Sequence, residues 1–64
     1  MNSDQLQGKW MQLKGSVKEK WGKLTDNDLD VINGQQAQLL GLIQQRYGIT
    51  MEEAQKQLKD WNVS

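Results

Sequence analysis

The sequence has no histidine, no cysteine and no proline. Without the first two residue types the chain has no imidazole or thiol nucleophile, no disulfide bond and none of the usual zinc or haem ligands. Eight basic and eight acidic residues give a net charge of zero, so the overall charge indicates neither nucleic acid nor an anionic membrane as a partner. We therefore expect a protein that is not an enzyme and that holds no cofactor and no metal.

The chain is also short and poor in hydrophobic residues. It has 64 residues, of which 36% are hydrophobic. A chain of this mass exposes about 4,200 Å² when folded, which allows one small core. We therefore expect a single domain spanning residues 1–64. No apolar run approaches the length of a membrane span and the first five residues are polar, which predicts a cytoplasmic location.

The composition predicts an all-α fold. Ten glutamines and the absence of proline favour helix over strand, because straight-chain side chains lose little rotamer freedom in a helix. Apolar residues at helical spacing predict a long helix 1 from Asp4 to Lys23. We expect Asn2 or Ser3 to cap this helix, and Gly22 to end it in the left-handed conformation.

Three more helices are predicted after helix 1. Helix 2 begins with a capping box between Thr25 and Asp28 and closes at the turn-forming pair 33–34. Helix 3, over residues 35–47, has a wide apolar arc and should be the central helix, ended by Gly48. Helix 4 is capped by Thr50 with Glu53 and frays over residues 62–64. The core predicted from these patterns contains Leu6, Trp10, Leu13, Val17, Trp21, Leu29, Leu40, Ile43, Tyr47, Leu58 and Trp61.

The six glycines indicate an internal repeat. They fall at positions 8, 15 and 22 and again at 34, 41 and 48, with the same heptad spacing in each set. Five residues of 8–22 are identical in 34–48, and in both halves an aliphatic residue and a threonine follow the last glycine. This pattern predicts a duplication of about 8–29 and 34–54, so that the domain is built as two tandem halves, each a long helix followed by a short one.

Lysines on helix 1 form the first candidate binding surface. Helix 1 carries five lysines and two acidic residues, and helix 2 carries three aspartates, so a net charge of zero hides local charges of +3 and −3. Lysines on both sides of Trp10 and Trp21 would suit phosphate contacts from nucleic acid or an anionic membrane. Alternatively the lysine stems cover the rim of the core, which we favour because five lysines on a neutral protein make a weak electrostatic signal. The lysines of this surface are Lys9, Lys14, Lys18, Lys20 and Lys23.

Gly8 and Gly15 complete the candidate surface. Both lie opposite the apolar stripe of helix 1, and each should cost the helix about 1 kcal/mol relative to alanine. One interpretation is that a protein partner, or a second copy of the chain, approaches the backbone there. The other is that the glycines were inherited from the duplication. The partner itself is not identifiable from the sequence.

The acidic residues of helix 2 have calcium-like spacing. Asp26, Asp28 and Asp30 fall at positions 1, 3 and 5 of an EF-hand loop. That loop also needs glycine where Val31 stands and glutamate where Ala37 stands, so a calcium site is excluded. Acidic residues at a helix N-terminus explain the first two aspartates.

The sequence resembles a known family over most of its length. The resemblance rests on Gly8-Lys9-Trp10, the stretch from Leu13 to Asp26, Gly34, Leu39-Leu40-Gly41, Gln44 to Gly48, and Glu53-Ala54. These residues resemble the CsbD-like family of small bacterial general stress proteins. The resemblance implies a helical, stress-associated protein and supplies no catalytic or cofactor residues. Helix 3 is richer in glutamine and poorer in charge than is typical of the family.

Overall fold

A computed structural model describes residues 3–61, and within this range every element is helical. The predicted cap at Asn2 and the predicted frayed end, 62–64, lie outside the described residues. The chain exposes 4260 Å², close to the expected value. The five helices are α1 (Ser3–Gly8), α2 (Trp10–Lys20), α3 (Asp26–Ile32), α4 (Gln36–Tyr47) and α5 (Met51–Trp61).

The prediction of one long helix 1, and hence of four helices, is wrong. The helix breaks at Lys9, which precedes α2 in a non-helical conformation and whose carbonyl accepts hydrogen bonds from the amides of Gln12 and Leu13. The apolar stripe gave no sign of the break because Leu6 and Trp10 are both buried. Glycine at position 8 lowers the free-energy cost of breaking the helix, because glycine is a poor helix former. After the break, α1 packs against both α2 and α4.

The predicted end of helix 1 at a left-handed Gly22 is also wrong. The helix ends at Lys20 with Trp21 as its C-cap, the Trp21 amide donates to the Val17 carbonyl, and the φ angle of Gly22 is not positive. Trp21 has a non-helical backbone conformation, with φ −117° and ψ 77°, and its side chain is buried. The chain therefore leaves the helix at a tryptophan whose indole is buried, and not at a left-handed glycine.

The capping box that begins α3 is confirmed. The Asp28 amide donates to Thr25 Oγ1 at 3.0 Å, and the Thr25 amide donates to Asp28 Oδ2 at 3.0 Å. The helix ends in the predicted turn, where Asn33 and Gly34 have positive φ angles of 43° and 81°. A Cβ at Gly34 would lie 2.8 Å from Gln7 Cα, so the turn packs directly on the backbone of α1.

The α4 and α5 helices follow the sequence closely. Gly48 ends α4 in the left-handed conformation, with φ 63°, and Thr50 Oγ1 accepts from the Glu53 amide at 3.1 Å. The carboxylate of Glu53 is directed to Gln57 Nε2 at 3.5 Å instead of completing a capping box. As predicted, α4 is central, because it packs against α1, α3 and α5.

The core contains most of the predicted residues and four more. Leu13, Tyr47 and Trp61 are half-buried at its edge. Leu24, Ile32, Leu39 and Ala54 are fully buried, and none of the four was in the predicted core. In the described part of the chain no helix is long and apolar enough to cross a membrane.

Candidate functional site

An ion pair between the buried Asp28 and the partly exposed Arg46 joins α3 to α4. Asp28 is 5% exposed, and it is the one polar or charged residue that is buried in the described part of the chain. Arg46 binds its carboxylate through two hydrogen bonds, from Nε to Oδ2 at 3.0 Å and from Nη2 to Oδ1 at 2.8 Å. With the capping bond from Thr25, the carboxylate accepts three hydrogen bonds. The helix cap and the ion pair therefore share one carboxylate.

These contacts shift the pKa values of both partners. The hydrogen bond from Arg46, followed by that from the Thr25 amide, lowers the pKa of Asp28 far below its usual range, although burial opposes the shift. The same contact raises the pKa of Arg46. Asp28 is therefore a carboxylate at every physiological pH, and its charge is already balanced within the fold.

The ion pair was missed by the sequence analysis, which explained Asp28 by its position at a helix N-terminus. The two residues are 18 positions apart, and no local pattern joins positions at that separation. One signal was available, since Arg46 is the single arginine among eight basic residues. Arginine presents a planar fork that matches a carboxylate bidentately, which lysine does not.

Two lysines of the candidate surface bind the acidic residues of α3. Lys14 Nζ lies 3.3 Å from Asp30 Oδ1, and Lys18 Nζ lies 3.7 Å from Asp26 Oδ1. Lys18 Nζ also donates to the Leu24 carbonyl at 2.8 Å. Positively charged lysines of α2 and negatively charged aspartates of α3 therefore contact each other within the molecule. Together with the pair between Asp28 and Arg46, each of the three aspartates of α3 contacts one basic side chain.

The other three lysines are exposed. Lys9 lies at the break before α2, Lys20 in its last turn and Lys23 in the loop that follows. Lys23 Nζ lies 5.0 Å from the centre of the Tyr47 ring, within the range of a cation–π contact. Its amide donates to the Tyr47 hydroxyl at 3.1 Å. The structure thus divides the five lysines into a pair bound to α3 and three on the surface.

Gly8 and Gly15 face open space. A Cβ built on either glycine would meet nothing within 4 Å in the described residues. Met11 lies between them along the chain and is 87% exposed. No packing within residues 3–61 therefore explains these two glycines.

Tryptophan residues join α2 to α5. Trp21 Nε1 donates to Gln57 Oε1 at 2.9 Å, across 36 residues of sequence, and its ring centre lies 5.5 Å from that of Trp61. A shallow groove beside this contact is lined by Ser16, Glu19, Lys20 and Trp61. In residues 3–61 no cluster of acidic side chains is arranged to hold a metal ion.

The fold and this site define a small all-helical protein in which ion pairs connect neighbouring helices, one of them through the buried Asp28. The chain belongs to the CsbD-like family, whose model matches residues 4–56. It is 59% identical to a UPF0337 protein of Protochlamydia amoebophila over 61 residues, which cover 95% of this chain and 92% of that one. It is 52% identical to the UPF0337 protein YjbJ of Escherichia coli K12, again over 95% of this chain and over 88% of the relative. No solved structure matches the chain.

Proposed function

We propose that the chain is a non-enzymatic, stress-associated bacterial protein of the cytoplasm. The observation that carries the proposal is that the one buried charged side chain of residues 3–61, Asp28, is bound within the fold by Thr25 and Arg46. A carboxylate that works in acid–base catalysis needs a pKa raised towards neutrality, and the contacts of Asp28 move its pKa in the other direction. The resemblance to general stress proteins supports the stress association, and the names of the two relatives state no reaction.

The dependence of survival on the amount of protein tests whether the protein acts without catalytic turnover. The gene would be placed under a titratable promoter in its own bacterium, and survival of osmotic or stationary-phase stress would be measured against the protein level. A protein that acts stoichiometrically should restore survival in proportion to its amount. Full survival at a small fraction of the native level would indicate turnover and contradict the proposal.

Abundance tests the stress association separately. Quantitative mass spectrometry of the same bacterium should show the protein rising severalfold between exponential growth and stationary phase or osmotic stress. A ribosomal protein measured in the same samples serves as the reference. A constant level under every stress would contradict a stress-associated role.

A second candidate function is binding through the outer surface of α2. The highly exposed Met11 and the open positions at Gly8 and Gly15 favour a macromolecular ligand there. Since Lys14 and Lys18 contact α3, a nucleic acid or anionic membrane would be bound by the remaining lysines of the candidate surface. The same surface would serve a partner helix or self-association through the two glycines.

Amide-resolved NMR with short duplex DNA tests this second function. Binding should shift amides within residues 9–23, and the affinity should fall steeply with salt because phosphate contacts release counterions. Replacing Lys9 and Lys20 by glutamine should weaken binding more than replacing Lys14 and Lys18. A spectrum that DNA leaves unchanged at low salt would exclude nucleic acid as the ligand.

A further inference from the structure

The outer face of α4 carries no charge. The chain has no acidic or basic residue from Val31 to Gln45, although a quarter of all its residues are charged. Within α4 the exposed side chains other than Arg46 belong to Ala37, Gln38 and Gln45, which lie beside the exposed backbone of Gly41. Arg46 leaves this face uncharged because it turns to Asp28. We call the four residues Ala37, Gln38, Gly41 and Gln45 the amide face.

The amide face differs from the exposed surfaces of the other long helices. Glu19 and Lys20 are exposed on α2, and α5 exposes acidic and basic residues along its length. On α4 the predicted duplication aligns Gly41 with Gly15 and Gln38 with Gln12. A Cβ at Gly41 would meet nothing within 4 Å in the described residues, so packing within the chain does not account for glycine in the middle of this helix either.

We propose that the amide face binds the amide face of a second copy of this chain, with the two α4 helices antiparallel about a two-fold axis at Gly41. The argument for a second copy is complementarity. A side-chain amide both donates and accepts hydrogen bonds, so a surface of glutamines is complementary to itself, whereas a surface of one charge sign repels its copy. A two-fold axis at residue 41 brings Gln45 of one copy level with Ala37 of the other, since each is four residues from Gly41, and within one residue of the other copy's Gln38.

The small residues set the distance between the two helices. Two packed helices lie about 8–10 Å apart, depending on the side chains at the crossing. Glycine on the axis allows the near end of this range and brings the flanking glutamines within hydrogen-bonding reach. In an antiparallel arrangement the positive N-terminal end of each helix dipole also lies beside the negative C-terminal end of the other.

The size of the amide face predicts a weak dimer. The 12 residues of α4 span about 18 Å. One helix pair of this length buries less than the roughly 1,200 Å² of a standard stable interface. We therefore expect fast exchange between monomer and dimer, with the dimer populated at millimolar and lost at low micromolar protein concentration.

An NMR dilution series with two matched variants tests the proposal. Between millimolar and micromolar concentration, the amides of residues 37–45 should shift. Gly41→Glu places two negative charges against each other on the axis and should abolish the concentration dependence. Gly15→Glu is the control, because Gly15 is also an exposed glycine in mid-helix that aligns with Gly41 in the repeat. Both changes replace glycine by a better helix former, so both variants should stay folded.

Three results would overturn the proposal. The first is an absence of concentration-dependent shifts in the unaltered chain, with a monomer mass in sedimentation equilibrium at millimolar concentration. The second is self-association that Gly15→Glu abolishes and Gly41→Glu preserves, which would place the contact on α2. The third is self-association that survives both changes. None of these results bears on the proposed stress-associated function, whose tests measure survival and abundance, whereas the second would support self-association through the glycines of the candidate surface.

Discussion

Arg46 is the single arginine of the chain, and its guanidinium binds the buried carboxylate of Asp28 with two hydrogen bonds. The side chain of Asp28 is 8% exposed, so replacing Arg46 by alanine leaves a mostly buried carboxylate with only its capping bond, and the loss of its charged hydrogen-bond partner is destabilising. We expect Arg46→Ala to lower the midpoint of urea unfolding markedly, and Arg46→Lys to recover part of the loss without the bidentate geometry.

The control for Arg46 is the exposed pair between Lys14 and Asp30. The side chain of Lys14 is 37% exposed, close to the 41% of Arg46, but that of Asp30 is 70% exposed whereas that of Asp28 is 8% exposed. Lys14→Ala should therefore cost at most about 1 kcal/mol. Equal urea midpoints for Arg46→Ala and Lys14→Ala would mean that the pair between Asp28 and Arg46 contributes no more to stability than the exposed pair between Asp30 and Lys14. That outcome would contradict a central role for Asp28 in joining α3 to α4.

Gly34 and Gly48 both have positive φ angles but differ in their surroundings. Alanine at either position carries the strain of a left-handed backbone, about 1–2 kcal/mol. At Gly34 the new Cβ would also lie 2.8 Å from Gln7 Cα and 3.2 Å from Trp10 Cβ, whereas at Gly48 it would meet nothing within 4 Å. Thermal unfolding should therefore show that Gly34→Ala is clearly the more destabilising change. Similar melting temperatures would indicate that the turn does not pack on α1.

At the scale of the helices, the sequence predicts well what is decided locally. The Thr25 box, the positive-φ turn at 33–34 and the left-handed Gly48 all depend on residues a few positions apart. The sequence could not predict the pair between Asp28 and Arg46 or the bond from Trp21 to Gln57, because 18 and 36 residues separate the partners. The break at Lys9 was hidden because the apolar stripe continues through it.

The candidate surface shows the same division. Charge patterning located opposite charges on neighbouring helices, but it could not show that Lys14 and Lys18 contact the aspartates of α3. The helical wheel correctly placed Gly15 away from the core. Whether the lysines and glycines of this surface bind a ligand, and whether the chain is an internal duplication, stay predictions.

Gly15 lies in the middle of α2, where glycine is the least favourable residue after proline. Its φ angle is not positive, and a Cβ would enter open space, so Gly15→Ala should raise the free energy of unfolding by about 0.5–1 kcal/mol. The gain should be measured by urea unfolding of a dilute sample, in which self-association is absent. A loss of stability would mean that the backbone at Gly15 is contacted closely.

At the scale of the whole molecule, the ion pair between Asp28 and Arg46 makes the free energy of unfolding depend on pH in the acid range. The pKa of Asp28 is lowered in the folded chain and stands at about 3.9 in the unfolded one, so the unfolded state binds the proton more readily. The contribution of Asp28 is therefore fully present above about pH 5 and is lost as the pH falls below about 4 towards the lowered value. Urea midpoints measured from neutral to strongly acid pH should fall over this acid range.

In Arg46→Ala the main cause of the lowered pKa is gone, so the fall should be shallower and the two proteins should converge in stability at low pH. Parallel curves, with the difference between the two proteins unchanged in acid, would show that Asp28 is not the group responsible.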